Sequence, residues 1–242
     1  MIALTISVLT IAIIAVTYVF LVMPRVTDGA DMDLQSTDYA YFGLWNTETE
    51  KGSLKAFENA KELGYGITFT VLLTADKKLS GASKTAPTLF EILSLIDGHV
   101  PLIIEIPPSK NANRLCKQLC LALDGYSGAF AIMSSDVHVL SFFKKYRPRY
   151  ARGQILSCRK KGALLPFKKR CSAFLKRHLF TNVVTRPDFI VTDGSLMREP
   201  AFLLATKLFC RRGFIKNVKN ERQYSICHER ALYTLFERIR PQ

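Results

Sequence analysis

The side chains that most often carry acid–base chemistry are sparse in this chain and scattered along it. Among its 242 residues there are four histidines, and histidine suits proton transfer because its unperturbed pKa of about 6.5 lies near working pH. No motif surrounds any of them. We therefore expect each to face solvent or to hold a structural hydrogen bond: His99, His138, His178 and His228.

The six cysteines show neither a zinc signature nor a compact disulfide framework. Cys116 and Cys120 are four residues apart on a predicted helix, so they could share a metal ion. We favour the alternative, in which both lie on a buried apolar face of that helix. The spacing argues against a disulfide-rich secreted domain.

One carboxylate has a position suited to metal chemistry. Glu105 stands between Ile104 and Ile106 in an apolar strand pattern, and strand alternation directs it to the opposite face from these neighbours. Two interpretations stay open: a ligand for a divalent cation, or a polar group paired with a neighbouring side chain.

Positive charge is concentrated in one block. The chain carries a formal net charge of +14, and residues 137–187 contain 14 Lys or Arg and no Asp or Glu. Within this block Phe167, Cys171 and Phe174 recur at helical spacing, which predicts a basic amphipathic helix in an insert at about 157–181.

We interpret this helix as a surface that docks on anionic lipid. The alternative is a helix packed on the domain with a solvated basic face, and nucleic acid is the least favoured partner because base-stacking aromatic residues are not interleaved. The candidate membrane- or anion-binding residues are Lys160, Lys161, Lys168, Lys169, Arg170, Lys176 and Arg177.

Residues 2–23 carry no charge and are long enough to cross a hydrocarbon core of about 30 Å as one helix. A cleaved signal peptide is the alternative, but the basic n-region and the small-residue cleavage site are lacking. We expect a transmembrane anchor at 1–25 and a polar tether at 26–37. Arg25 favours a single-pass membrane protein with its domain on the cytoplasmic side.

Beyond the tether, short apolar runs at 67–73, 102–106, 129–133 and 189–192 alternate with helical patterns. This alternation is typical of parallel strands joined by crossover helices.

Three stretches carry a family resemblance: AYFGLWN at 40–46, GYGITFTV at 64–71 and PLIIEI at 101–106. Together with the order and spacing of the later strand and helix patterns, they make the chain resemble the glycerophosphodiester phosphodiesterases from about residue 38 to about residue 237. The resemblance implies a (β/α)8-type TIM barrel over 38–242. It also implies a site at the barrel's top, where family members use two histidines and a divalent cation held by carboxylates.

The catalytic residues of that family are not retained. Tyr41 and Phe42 occupy the positions of the first motif's His and Arg, and Thr68 and Thr70 occupy those of the second motif's Glu and Asp. Glu105 is the lone remnant of the metal site.

Two further departures concern the barrel itself. The segment that carries the family's second histidine is absent, so we expect the third strand to be missing or truncated near 77–83. Lys216-Asn217-Val218 stands where Trp-Thr-Val is usual.

These substitutions remove base, acid and metal ligands together. Tyrosine, with a reference pKa of about 10, is a poor base, and hard cations bind chiefly through carboxylates. We expect an inactive, membrane-tethered binding or scaffolding barrel with no cofactor, whose partner could be a protein. The alternatives are a residual phosphodiesterase of lipid metabolism, with weakly bound Ca²⁺ or Mg²⁺ at Glu105, and a basic adaptor on anionic membrane.

Overall fold

The computed structural model describes residues 1–25, 34, 37–74, 76, 78–82, 86–156, 171, 174–175, 177–209 and 212–239. Most of the tether and of the basic insert lies outside these ranges. Of the seven candidate basic residues, Arg177 is described, and six lie outside: Lys160, Lys161, Lys168, Lys169, Arg170 and Lys176.

Nine strands lie within the described ranges, and eight of them are parallel and form a closed barrel. The parallel strands are β1 (Tyr39–Tyr41), β2 (Gly66–Leu73), β4 (Leu102–Glu105), β5 (Phe130–Ser134), β6 (Ala151–Leu156), β7 (Phe189–Asp193), β8 (Arg212–Val218) and β9 (Tyr233–Phe236). The strands lie around the barrel in this order, so β2 is followed directly by β4. The barrel closes where β9 pairs with β1. The predicted TIM barrel is confirmed.

The third strand in the chain, β3 (Leu79–Gly81), is three residues long and pairs antiparallel with β2. The predicted truncation is therefore confirmed. It leaves no gap, because β2 pairs directly with β4, with Thr70 opposite Glu105.

The described α-helices are α1 (Ile2–Val22), α2 (Leu54–Glu62), α3 (Leu89–Ile96), α4 (Ala112–Leu123), α5 (Val137–Tyr146), α6 (Asn182–Thr185), α7 (Pro200–Leu203) and α8 (Glu221–Glu229). A 3-10 turn (Gly194–Leu196) and a π-helical turn (Leu204–Leu208) flank α7. Capping residues in the local sequence determine where several of these helices begin. Ser53 caps α2 by accepting from the Ala56 amide, and Thr88 forms a reciprocal capping box with Glu91 at α3.

The core lies between the barrel and its helices. Helix α3 buries Leu89, Ile92 and Ile96, which share one helical face. Cys116 and Cys120 are likewise buried on α4, and burial raises the pKa of the Cys116 thiol to about 12. They share this buried face with Leu115, Leu119 and Leu123, which supports the apolar-face interpretation of these cysteines.

Helix α1 projects from the barrel and touches it at one end. Residues Leu4–Val22 have a mean hydropathy of 2.5, and most of this span is exposed. At its end Val22 is buried, and its carbonyl accepts a hydrogen bond from Asn182 Nδ2 at 2.8 Å. The Arg25 amide donates to the Pro187 carbonyl just before β7, so α1 docks near the amino ends of the barrel strands.

Candidate functional site

The barrel mouth collects side chains from strand ends far apart in sequence. Tyr41 and Glu105 are the last residues of β1 and β4, and Lys216 lies near the end of β8. Because the strands are parallel, their carboxyl ends share one rim, the usual position of TIM-barrel sites.

Glu105 and Lys216 form a salt bridge across this mouth. Three strands separate β4 from β8 in either direction around the barrel, so the two residues stand opposite each other. Lys216 Nζ lies 3.0 Å from Glu105 Oε1 and 2.8 Å from Oε2. The side chains are 16% and 14% exposed, so the pair is largely shielded from water.

Tyr41 and Thr70 complete the cluster. The Tyr41 hydroxyl donates to Glu105 Oε2 at 2.5 Å, and the Thr70 hydroxyl lies 3.4 Å from the same oxygen. Lys216 Nζ also lies 4.8 Å from the centre of the Tyr41 ring. Glu105 therefore meets an ammonium and two hydroxyl groups.

Both partners of Glu105 are held in their ordinary protonation states. Burial, followed by the nearby Glu105 charge, raises the pKa of Tyr41 to about 12. Burial alone would lower the pKa of Lys216, but Glu105 and Tyr41 outweigh it and raise this pKa. At neutral pH Lys216 is a cation and Tyr41 a hydrogen-bond donor, and neither accepts a proton.

Solved structures with the same architecture include several phosphodiesterases. A glycerophosphodiester phosphodiesterase from Parabacteroides distasonis is 16% identical, with a TM-score of 0.62 over 84% of this chain and 94% of that one. A phosphodiesterase from Oleispira antarctica, in complex with the product sn-glycerol-3-phosphate, is 15% identical, with a TM-score of 0.64 over 84% and 92%.

The chain has the fold of glycerophosphodiester phosphodiesterases. Another such enzyme, from Agrobacterium tumefaciens and 13% identical, gives a TM-score of 0.61 over 84% of this chain and 96% of that one. No family profile and no curated protein matches the sequence. At these identities the likeness concerns the fold.

The mouth does not fit the divalent cation expected of a glycerophosphodiester phosphodiesterase. Lys216 already places a positive charge on Glu105. Thr68 and Thr70, which the resemblance places at the other ligand positions, are neutral. Thr68 is fully buried opposite Tyr41 in the β1–β2 register, and its hydroxyl has no partner among the described residues.

Phe42, at the position of the resembled family's catalytic Arg, packs against neighbouring side chains. Its backbone is left-handed, with φ 64°, and its ring packs edge-on against Tyr41. Lys51 Nζ lies 4.7 Å from the Phe42 ring centre and 2.9 Å from Glu237 Oε1. This position thus joins an aromatic and ionic cluster on the rim.

Two of the histidines hold hydrogen bonds away from the mouth. His99, between α3 and β4, contacts the Ile96 carbonyl, and His228 on α8 contacts Asp38, the residue before β1. Asp38 also accepts hydrogen bonds from Tyr224 and Thr234. The sequence did not predict this group of hydrogen bonds around Asp38, because Asp38 and Thr234 lie 196 residues apart.

A cavity of about 610 Å³ adjoins the mouth between β7, β8 and α8. Its lining includes Lys216 together with two exposed arginines, Arg198 and Arg230. Asp193 also lines it and accepts a hydrogen bond from Asn217. The volume is within the range typical of small-molecule sites, and the lining carries more positive than negative groups.

Proposed function

We propose that this barrel does not hydrolyse phosphodiesters and acts as a membrane-tethered binding or scaffolding module. The salt bridge between Glu105 and Lys216 is the observation that carries the proposal. Phosphodiester cleavage needs a proton acceptor, a proton donor and a cation that stabilises charge on the phosphate oxygens. At this mouth the one carboxylate of the former ligand set is neutralised by an internal ammonium.

A small anionic molecule is the class of ligand that best suits the cavity beside the mouth. Arg198 and Arg230 are exposed there and can meet carboxylate or phosphate oxygens. A protein partner that presents an acidic side chain would use the same groups. Neither needs a metal ion at Glu105.

Helix α1 is the membrane anchor of this module and is retained in the protein. Val22 and Asn182 are both fully buried and joined by a hydrogen bond. Cleavage of the helix would leave the Asn182 amide without this partner, so the contact supports an anchor over a signal peptide. Arg25 at the end of the span and the unbridged Cys116, Cys120 and Cys227 favour a barrel on the cytoplasmic side.

The basic insert contributes by docking on anionic lipid. The ring centre of Phe174 lies 6.2 Å from that of Phe180, which lies 5.6 Å from that of Tyr18 on α1. This end of the insert is therefore beside the anchor. Arg177 pairs with Glu199, however, so the docking charge has to come largely from the insert's other lysines and arginines.

The test is hydrolysis of glycerophosphodiesters, such as glycerophosphocholine, by the full-length protein with Ca²⁺ or Mg²⁺. An active phosphodiesterase of this fold serves as the positive control. We expect no turnover above that of Glu105→Gln. Turnover that disappears in Glu105→Gln would overturn the proposal and favour the residual phosphodiesterase.

A further inference from the structure

A second cavity, of about 460 Å³, lies where the end of α1 meets the barrel. Phe20 and Met23 form its wall on the anchor side, and Lys144, Arg152 and Arg186 line it from the barrel. Arg186 joins the two walls. Its Nη1 donates to the Met23 carbonyl at 2.7 Å, and its guanidinium lies 5.0 Å from the Phe20 ring centre.

The lining of this junction cavity is strongly cationic. Four of its residues are basic, and no acidic residue lines it: Arg25, Lys144, Arg152 and Arg186. The nearby carboxylate of Asp188 offsets part of this charge, because it lies 3.6 Å from Arg25 and accepts a hydrogen bond from the Arg152 backbone amide at 2.8 Å. Lys144 donates to the Val184 carbonyl at 2.6 Å, and Arg186 donates to the Met23 carbonyl. Carbonyl oxygens carry no formal negative charge, so these hydrogen bonds leave both positive charges uncompensated.

Arg152 lines the cavity and is itself buried. Its side chain is 2% exposed, and its Nη1 donates to the Pro148 and Tyr150 carbonyls. Its Nε–H has no partner within the described part of the chain. Because this nitrogen is itself shielded from solvent, Arg152 acts on an occupant of the cavity through its charge.

The crowding of cations is visible at Lys144. Burial lowers its pKa, and the charges of Arg186 and Arg152 lower it further. A bound anion would relieve this repulsion, and guanidinium groups are well shaped for phosphate oxygens.

We propose that the junction cavity binds the phosphate of an anionic phospholipid, with its acyl chains along α1. The inference rests on the anchoring role of α1 proposed above. Phe20 belongs to the apolar span and Arg25 follows its end by three residues, so in a bilayer the cavity lies at the depth of the headgroups. Aromatic and basic residues are the usual contacts at that depth.

The experiment uses the full-length protein in neutral detergent and counts bound lipid by native mass spectrometry. Phosphatidylglycerol is the probe, phosphatidylcholine the neutral comparison, and inorganic phosphate the competitor without acyl chains. Lys144→Gln and Arg186→Gln test the cavity. Lys145→Gln is the matched control, because Lys145 is the next residue on α5 and does not line the cavity. Lys144→Arg restores the charge.

We expect retained phosphatidylglycerol in the wild type, in Lys145→Gln and in Lys144→Arg. Binding should be about fivefold weaker for each cavity charge removed. Equal binding in Lys144→Gln and Lys145→Gln, or no preference over phosphatidylcholine, would overturn the site. Displacement by equimolar inorganic phosphate would assign the cavity to free phosphate and overturn the lipid assignment.

Flotation with neutral vesicles, measured on the same samples, reports the anchor separately. A chain that floats but shows no headgroup preference overturns the site and leaves the anchor standing. A chain that does not float contradicts both proposals. Neither result bears on hydrolysis at the mouth, which the Glu105→Gln assay tests.

Discussion

Lys216 and Glu105 stand on opposite strands of the barrel and meet at 2.8 Å, so one side chain reaches across the mouth to neutralise the other. Tyr41 donates to the same carboxylate. The mouth of this barrel is thus organised around an internal ion pair.

Replacing Lys216 by Met should destabilise the fold by about 2 kcal/mol. Glu105 would remain shielded from water without its cation, and unpaired buried charges are strongly unfavourable. Thermal unfolding of the full-length protein measures the effect. Lys219→Met is the matched control, because Lys219 is 60% exposed and lies 3.8 Å from Glu237.

The double variant Glu105→Gln with Lys216→Met should recover most of that loss, because it removes both charges together. If the two single effects simply add, the side chains are not coupled and the ion pair is not what organises the mouth.

Stability should fall as pH rises above about 10. The pKa of Lys216 is raised in the folded chain, and that of Tyr41 is raised from 10.0 to about 12. A group whose pKa is higher in the folded than in the unfolded chain stabilises the fold fully at pH values below its unfolded-state pKa. This stabilisation is lost as the pH rises to the folded-state pKa. The free energy of unfolding, measured between neutral pH and pH 11, should therefore decline less steeply in Tyr41→Phe than in the wild type. Identical slopes would contradict the assignment.

Asp38→Asn should lower stability by about 2 kcal/mol, because the Asp38 carboxylate accepts four hydrogen bonds from Tyr224, His228 and Thr234. These contacts tie the start of β1 to α8 and β9. Asp76→Asn, at an exposed position, is the control and should be nearly neutral. Equal melting temperatures for the two variants would show that the hydrogen bonds to Asp38 do not stabilise the fold.

Gly43→Ala should be more harmful than Gly64→Ala. Both glycines have positive φ, at +77° and +72°, so both variants incur a backbone penalty of about 1 kcal/mol. At Gly43 an added Cβ would also lie 2.5 Å from the Ala56 backbone, whereas at Gly64 nothing lies within 4 Å. Chemical denaturation of both variants measures the difference. A Gly64→Ala effect as large as that of Gly43→Ala would contradict the close packing of α2 on the chain that follows β1.

Local patterns predicted parallel strands joined by crossover helices, and the family resemblance added the closed barrel. The apolar runs that became β2, β4, β5 and β7 alternate with helical segments, and this periodicity is a property of short stretches of chain. The truncation of β3 was expected from the resemblance, because the segment that carries the family's second histidine is absent. The direct pairing of β2 with β4 could not be predicted that way, because it depends on how the whole sheet closes.

The site was only partly predictable for the same reason. Glu105 was identified with two open interpretations, and pairing with a neighbour is the one that the structure favours. Its partner Lys216 lies 111 residues away. The sequence offered one signal, the departure of Lys216 from the resembled pattern, but no local spacing indicated which carboxylate it would meet.

Binding of Mn²⁺ to the full-length protein, followed by electron paramagnetic resonance, tests most directly whether the ion pair of Lys216 with Glu105 keeps a metal ion out of the mouth. We expect no saturable binding that depends on Glu105, so the wild type and Glu105→Gln should give the same titration. A saturable site in the wild type that Glu105→Gln abolishes would contradict this and show that the mouth still holds a cation.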